Sequence, residues 1–160
     1  MKQSKGIRVV KATMRQHLAI TKIARQSGYT KNFTNMIFSG EQCYKDGRIR
    51  IAKDARNRIV GFSCHRDRKR DGVTVLYFVG VEENQRNLGI GTTLLVDLWR
   101  NSGGAVECSV MKDNPALRLY RRLGFKEIRE TYEGKGLVMR LEEKPRTSRQ
   151  SKKGAKRKTS

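Results

Sequence analysis

The stretch QRNLGIGTTLL, Gln85 to Leu95, decides the fold. It follows VTVLYFVGV (73–81), a run of β-branched and aromatic residues that reads as a buried strand. It leads into a helical pattern over about 90–101, where Leu94, Leu95, Leu98 and Trp99 share one face. Two glycines, Gly89 and Gly91, stand where strand gives way to helix. Such a turn leaves main-chain N–H groups unpaired, and the helix N-terminus adds partial positive charge. Glycine lets an anion come close, so the turn suits a phosphate. Two common phosphate patterns do not fit. A GxGxxG fingerprint needs a glycine where Leu94 stands, and no suitable acid follows about 20 residues on. A GxxxxGK[ST] loop is absent. The plainer alternative is a tight turn that packs helix against strand.

Working outward, strands and helices alternate. IRVVKAT (7–13) reads as a strand and MRQHLAITKIARQSG (14–28) as a helix, with Leu18, Ile20, Ile23 and Ala24 as its apolar side and Gly28 as its stop. A second short helix is expected around Asn35 to Phe38. RIRIAKD and RIVGFSCHR form a hairpin turning near Ala55 to Asn57, and DRKRDG makes the next turn. AVECSVM (105–111) is a strand. NPALRLYRRLG (114–124) is a helix with Asn114 as N-cap, Pro115 in the first turn and Gly124 past the end. FKEIRETYE and GLVMRLEE close the fold as two strands.

The chain has 160 residues, enough for one domain with a single core, although only 36% are hydrophobic. The expected division is a folded domain over 1–143 and a disordered basic tail over 144–160, which lacks any large apolar residue. Cys43, Cys64 and Cys108 are scattered without a CxxC pair, and there are two histidines, so no metal site is expected. An odd cysteine count without a signal peptide fits reduced thiols in a cytoplasmic protein. No apolar run is long enough to span a bilayer, so no membrane association is expected.

Charge is distributed unevenly. Of the net +21, residues 1–40 supply eight Lys/Arg with no acid, and residues 144–160 supply eight more, again with no acid. Such a field attracts polyanions and repels polycations. Nucleic acid or another polyanion is therefore the expected partner of residues 1–40 and 144–160. A general solubility charge is the plainer alternative. A homodimer is left open.

Adding Arg86 to the glycines gives RNLGIG, Arg86 to Gly91, the pattern R-x-x-G-x-G. About 23 residues later stands NPALRLYRRLGF, Asn114 to Phe125, with the pattern N-x-x-A-x-x-x-Y-x-x-x-G-F. The two motifs, in this order, resemble the GNAT superfamily of acetyl-CoA-dependent N-acetyltransferases. The likeness spans 75–125 by motif and about 7–142 by architecture. It implies an α/β (α+β) fold with a central mixed, mostly antiparallel, splayed sheet of six to seven strands, flanked by about four helices. It implies acetyl-CoA as acetyl donor, a primary amine as acceptor and no metal.

The resemblance also implies roles. The main chain of Val79 and Val81 meets the acetyl group and pantetheine. Gly80 between them suits a β-bulge that splays the strands. Arg86, Asn87, Leu88, Gly89, Ile90 and Gly91, with Thr92, wrap the pyrophosphate. Asn114 contacts the cofactor arm, and Tyr120 is the general acid for the leaving thiolate; the plainer reading of Tyr120 is a packed core tyrosine. The sequence departs from the family at Asn87 and Leu88, where small or basic residues are usual, and at Glu83, where proline is usual.

Acetyl transfer also needs a neutral amine. A free lysine of pKa about 10.4 is neutral in about one molecule in 2,500 at pH 7. A base, or water leading to one, must take a proton. Strand alternation puts Glu107, Ser109 and Met111 on one face. Ser109 stands where some family members carry a catalytic glutamate. Glu107 is the first candidate base and Glu82 the second; in the plainer reading both pair with arginines and water relays the proton. Cys108, His17 and His65 read as packing or surface residues. A basic groove favours an amine attached to an anion, such as a modified nucleotide, a tRNA or ribosomal target, or an acidic protein. Two other readings stay open: a nucleic-acid-binding protein on this scaffold without turnover, and an acyltransferase with a different donor.

Overall fold

The computed structural model describes residues 5–29 and 41–142. The short helix expected near Asn35 and the tail from Lys144 lie outside the described residues. In chain order the elements are β1 (Arg8–Lys11), a 3-10 turn (Met14–Gln16) running into α1 (His17–Gln26), α2 (Glu41–Lys45), β2 (Ile49–Lys53), β3 (Ile59–Asp67) and β4 (Thr74–Val81). There follow a 3-10 turn (Glu83–Gln85), α3 (Ile90–Asn101), β5 (Val106–Met111), α4 (Ala116–Leu123), β6 (Lys126–Thr131) and β7 (Gly136–Leu141). The strands form one seven-stranded sheet in the order β1-β2-β3-β4-β5-β7-β6. Every neighbouring pair is antiparallel except β4–β5, which is parallel. This is the mixed, mostly antiparallel sheet that the sequence predicts.

Local chemistry places the turns. The Asp54 carboxylate accepts the N–H groups of Arg56 and Arg58, each at 2.9 Å, and Asn57 takes the left-handed conformation (φ 66°), so the β2–β3 hairpin turns where expected. The Gln16 side chain accepts the Thr13 N–H at 2.8 Å and starts the first helical segment. That segment opens as a 3-10 turn, which shifts the phase of α1. Leu18, expected on the apolar side, is 82% exposed, while Ile20, Ile23 and Ala24 are buried.

The sheet is covered on both faces. On one, α1 packs Ile20, Ile23 and Ala24 over Ile49, Ile51, Phe62 and Phe78. On the other, Ile90 and Leu94 of α3 meet Ala52 and Val60, while Leu95, Leu98, Leu117 and Tyr120 from α3 and α4 meet Val106, Cys108, Leu137 and Met139. Each fully buried aliphatic side chain contributes about 1.5–3 kcal/mol. Cys108 belongs to this core, as its strand parity predicts.

β4 holds the feature on which the site depends. It pairs with β5 only through Thr74, Val75 and Leu76, opposite Val106, Glu107 and Cys108. Beyond Leu76 the two strands part. The sequence places a bulge at Gly80; the register corrects this. Cys64 pairs with Phe78 and His65 with Leu76, so Tyr77 is the extra residue, while Gly80 pairs regularly with Phe62. The bulge reverses the strand's phase, and Leu76 and Phe78, two residues apart, join cores on opposite faces. Gly80 serves packing: a Cβ there would lie 2.6 Å from Phe62 Cε1 and 2.8 Å from Ser27 Oγ.

Candidate active site

The parting of β4 from β5 exposes one edge of β4. The Glu82 N–H donates to Val60 O at 2.9 Å on the β3 side. By strand alternation, Val81 and Val79 turn their main-chain groups to the other edge, into the gap. Side chains take both carbonyls. The Tyr29 hydroxyl donates to Val79 O at 3.3 Å, and Arg86 Nε donates to Val81 O at 3.2 Å. The Val79 and Val81 N–H groups lie along that same edge.

At the end of β4 the glycine turn delivers the chain into α3. Asn87 (φ 65°) and Gly89 (φ 83°) both take left-handed conformations. Asparagine tolerates that region better than most residues, so the departure at Asn87 keeps the turn tight. Gly89 is the N-cap of α3, and no side chain caps the helix. The first intrahelical bond is Thr93 N–H to Gly89 O at 3.0 Å, so the amides ahead of it form the open N-terminus. Ile90 is buried and anchors the helix, Thr92 is 9% exposed, and Leu88 stands out at 57% exposed. Gly91 serves packing as well, since a Cβ there would lie 3.4 Å from Leu119 Cδ2. Arg86 braces the turn: its Nη2 donates to Gln26 O at 2.8 Å and ties the loop to the end of α1. With Arg86 occupied, the turn offers its main-chain amides, and this uncapped N-terminus beside an open strand edge has the geometry to take an anion such as a diphosphate.

Asn114 performs the capping its spacing predicts, with Oδ1 accepting the Ala116 N–H at 2.9 Å. Gly124 ends α4 in the left-handed conformation (φ 98°), and the Phe125 N–H returns to Tyr120 O at 3.0 Å. This cap fixes Tyr120 on the last turn, with its ring centroid 5.4 Å from that of Phe125. Tyr120 is 6% exposed. Burial pushes its pKa well above the ordinary phenol value, with smaller contributions from Cys108 and Tyr29. The hydroxyl thus stays protonated throughout the neutral range and keeps a proton to donate.

Tyr29 was missed by the sequence reading. It follows the helix-stopping Gly28, donates to Val79 from the α1 face, and stacks edge-on to Phe78 at 4.6 Å. The signal was an aromatic directly after a helix stop, in a stretch whose pattern was otherwise unclear. Burial raises its pKa too, opposed by its bond to Val79. Tyr29 and Tyr120 thus approach the gap from opposite faces of the sheet.

Glu107 lies at the other end of β5, opposite Val75 where β4 and β5 are still paired. Its Oε2 meets Arg68 Nη1 at 3.0 Å and its Oε1 meets Arg140 Nη1 at 3.1 Å. With both oxygens held, this geometry matches the arginine-paired alternative better than a general base. Glu82 follows β4 where the glycine turn begins, with its N–H on the β3 side and not on the gap edge. Ser109 and Met111, on the same face as Glu107, are exposed where the strands have parted. His17 Nδ1 lies 2.8 Å from the Tyr44 hydroxyl, a packing contact. Among the described residues no three His, Cys, Asp or Glu gather as a metal site, and no helix is long and apolar enough to cross a membrane.

Comparison with known proteins agrees with this geometry. A family model described as the acetyltransferase (GNAT) domain matches residues 45–127. Over 134 residues the chain is 38% identical to the 5-NmdU N-acetyltransferase of Pseudomonas phage PaMx11, covering 82% of this chain and 95% of that protein. Among solved structures, a GNAT-family acetyltransferase from Bacillus cereus superposes with a TM-score of 0.72 at 21% identity, covering 87% of this chain and 99% of that one. The PaiA N-acetyltransferase from Thermoplasma acidophilum, solved in complex with coenzyme A, gives 0.71 at 17% identity, covering 85% and 98%. The chain belongs to the GNAT family and is an acyltransferase of the N-acetyltransferase type.

Proposed function

We propose that this enzyme moves an acetyl group from acetyl-CoA to the amine of a modified nucleotide, with 5-NmdU as the first acceptor to try. The observation that carries the donor half is the single continuous edge from the Val79 main chain to the uncapped N-terminus of α3. The acceptor half draws on the phage relative and on the net charge of +21, which favours an amine attached to an anion.

When bound, acetyl-CoA supplies an activated thioester. The protein's residues then have separable roles. The first-turn amides of α3 and the left-handed turn at Asn87 and Gly89 hold the diphosphate. The Val79 and Val81 N–H groups lie where charge grows on the thioester oxygen as the amine nitrogen attacks. As the new C–N bond forms and the C–S bond breaks, the Tyr120 hydroxyl donates to the departing sulfur. Its raised pKa makes complete proton transfer uphill, so it acts chiefly as a hydrogen-bond donor until solvent supplies the proton. The positive field lowers the acceptor amine's pKa and enlarges its neutral fraction. The amine proton leaves through water on the open face by Ser109, and Glu107 keeps its arginine pair.

The direct test incubates the protein with acetyl-CoA and a 5-NmdU-containing oligonucleotide. Thiol release with a gain of one acetyl mass on the oligonucleotide is expected. In parallel incubations, thiol release only with aliphatic amines or peptides would refute the acceptor, and transfer from a longer acyl-CoA but not from acetyl-CoA would refute the donor.

A further inference from the structure

The β6–β7 hairpin carries an unusual turn. Three consecutive residues, Tyr132 (φ 52°), Glu133 (φ 55°) and Gly134 (φ 85°), take left-handed conformations. The Lys135 N–H closes the turn on Tyr132 O at 3.1 Å. A bulky aromatic enters that region only when its surroundings hold it there. Here the holding device is visible. A Cβ at Gly136 would lie 2.5 Å from Tyr132 Cδ2, so the ring rests over a glycine that leaves room for it. The ring nevertheless stays 57% exposed. A strained backbone and a vacated Cβ together present an aromatic ring to solvent.

Register shows where that ring lies. Gly136 pairs directly with Met111 of β5 and with Thr131 of β6. Directly opposed residues share a face, so the ring is on the face of Met111, Ser109 and Glu107, away from α3 and α4. Met111 is itself 39% exposed. This is the face that carries α1 and Tyr29, which follows it, and the end of β5 that has parted from β4. The Tyr132 ring thus lies over the start of β7, one strand beyond the β5 edge of the gap, where the strand ends are joined by the Lys112 N–H to Lys135 O bond at 2.9 Å. Lys112 and Lys135 flank the turn along the main chain, and the Lys112 ammonium pairs with Glu130 at 2.9 Å.

We propose that the Tyr132 ring is a stacking platform for the acceptor's nucleobase, positioning the base's amine over the gap. This deepens the acceptor reading above and rests on it. An aromatic face stacks any base without reading its edge, while the net charge of +21 draws the strand's phosphates to the protein. Tyr132 touches the base and not the reacting atoms, so it sets specificity and does no chemistry.

The test measures binding of a single-stranded 5-NmdU oligonucleotide by fluorescence anisotropy, for the parent protein and for Tyr132→Phe, Tyr132→Ala and Tyr132→Gly. Phenylalanine should bind within about twofold of the parent. Alanine and glycine should weaken binding roughly fivefold to a hundredfold. Glycine also relieves the left-handed backbone, so that variant should melt at or above the parent temperature while still binding poorly. A residue needed only for the turn would give the reverse. In turnover, KM for the oligonucleotide should rise with kcat and the acetyl-CoA KM unchanged, and KM for a small aliphatic amine should not move. Unchanged oligonucleotide binding in both ring deletions overturns the proposal. So does a shift in oligomeric state on ring deletion without loss of binding, which would assign the ring to a contact between chains. If the parent protein binds the oligonucleotide through Tyr132 yet never acetylates it, the acceptor reading fails and the platform stands.

Discussion

β4 and β5 are zipped at one end and open at the other, and the two ends are built from different chemistry. At the zipped end, three residue pairs from Thr74–Val106 to Leu76–Cys108 are held in register beside a carboxylate gripped by two arginines. At the open end the same strands carry no mutual pairing, and β4 offers its edge to the side chains of Tyr29 and Arg86. The bulge at Tyr77 lies at the boundary, one residue past the last pair. The comparison teaches that the gap is not an absence of sheet. Charge fixes where the strands must meet, and a single extra residue fixes where they stop.

The largest expected effect tests the open end. Tyr120→Phe removes one hydroxyl from the gap and leaves the packing against Phe125. Turnover should fall about a hundredfold or more, while the acetyl-CoA KM and the melting temperature hold. Because burial raises the pKa of this phenol, the parent's rate should show no alkaline limb from Tyr120 below its ordinary value of 10. An unchanged rate would reduce Tyr120 to a core residue and leave the gap without a proton donor.

Next in size is Gly80→Ala, which attacks the wall shared by both ends. A methyl group 2.6 Å from Phe62 Cε1 and 2.8 Å from Ser27 Oγ must displace α1 or the strand. Overpacking of this kind costs about 1–3 kcal/mol, read as a lower denaturant midpoint. Since Tyr29 follows Ser27 closely, the acetyl-transfer rate should fall with it. A fully stable variant would show that α1 is not seated against β4 as described.

Glu107→Gln sharpens the comparison directly. If Glu107 belongs to the zipped end, the substitution leaves Arg68 and Arg140 facing a neutral amide. It should cost about 1–3 kcal/mol, less than a fully buried pair because the arginine side chains are 27% and 30% exposed. The pH profile of kcat should keep its shape. A rate loss of a hundredfold with the acid limb removed would instead make Glu107 the base, and the proton route through water would be wrong.

Much of this was legible in the sequence because the signals were local. Asn114, Pro115 and Gly124 punctuate α4, and capping needs only neighbours in the chain. The β-branched and aromatic run VTVLYFVGV marks β4, and the two glycines of the turn mark its exit. The illegible parts depend on register, which is set by a partner strand. The bulge falls at Tyr77 and not Gly80 because β3 decides which residue is left over, and glycine is as often a packing requirement as a bulge. Glu107 looked available because its arginines stand 39 and 33 residues away in the chain. Leu18 looked buried because a 3-10 turn changes the helical phase without changing the residue pattern. Tyr29 carried no periodic signal at all.

The smallest effect probes the zipped end by pH. Arg68 grips Asp71 through Nε to Oδ1 at 3.0 Å and Nη2 to Oδ2 at 2.7 Å while its Nη1 holds Glu107. That guanidinium, with the smaller help of the Val73 N–H and Arg70, lowers the Asp71 carboxyl from 3.8 to about 2. The sign follows from linkage. The unfolded chain takes up the proton first as pH falls, so Asp71 contributes its stability above 3.8 and loses it as pH drops towards about 2. Its side chain is 40% exposed, so solvent screens the pair and the shift in melting temperature will be modest. Asp71→Asn keeps an oxygen for the Val73 N–H and removes the charge together with one of the two oxygens that accept from Arg68. Its melting temperature should lie slightly below the parent's at neutral pH, and the two curves should converge as pH falls through that window. If they stay parallel down to pH 2, the carboxylate contributes nothing, and Arg68 holds the zipped end through Glu107 alone.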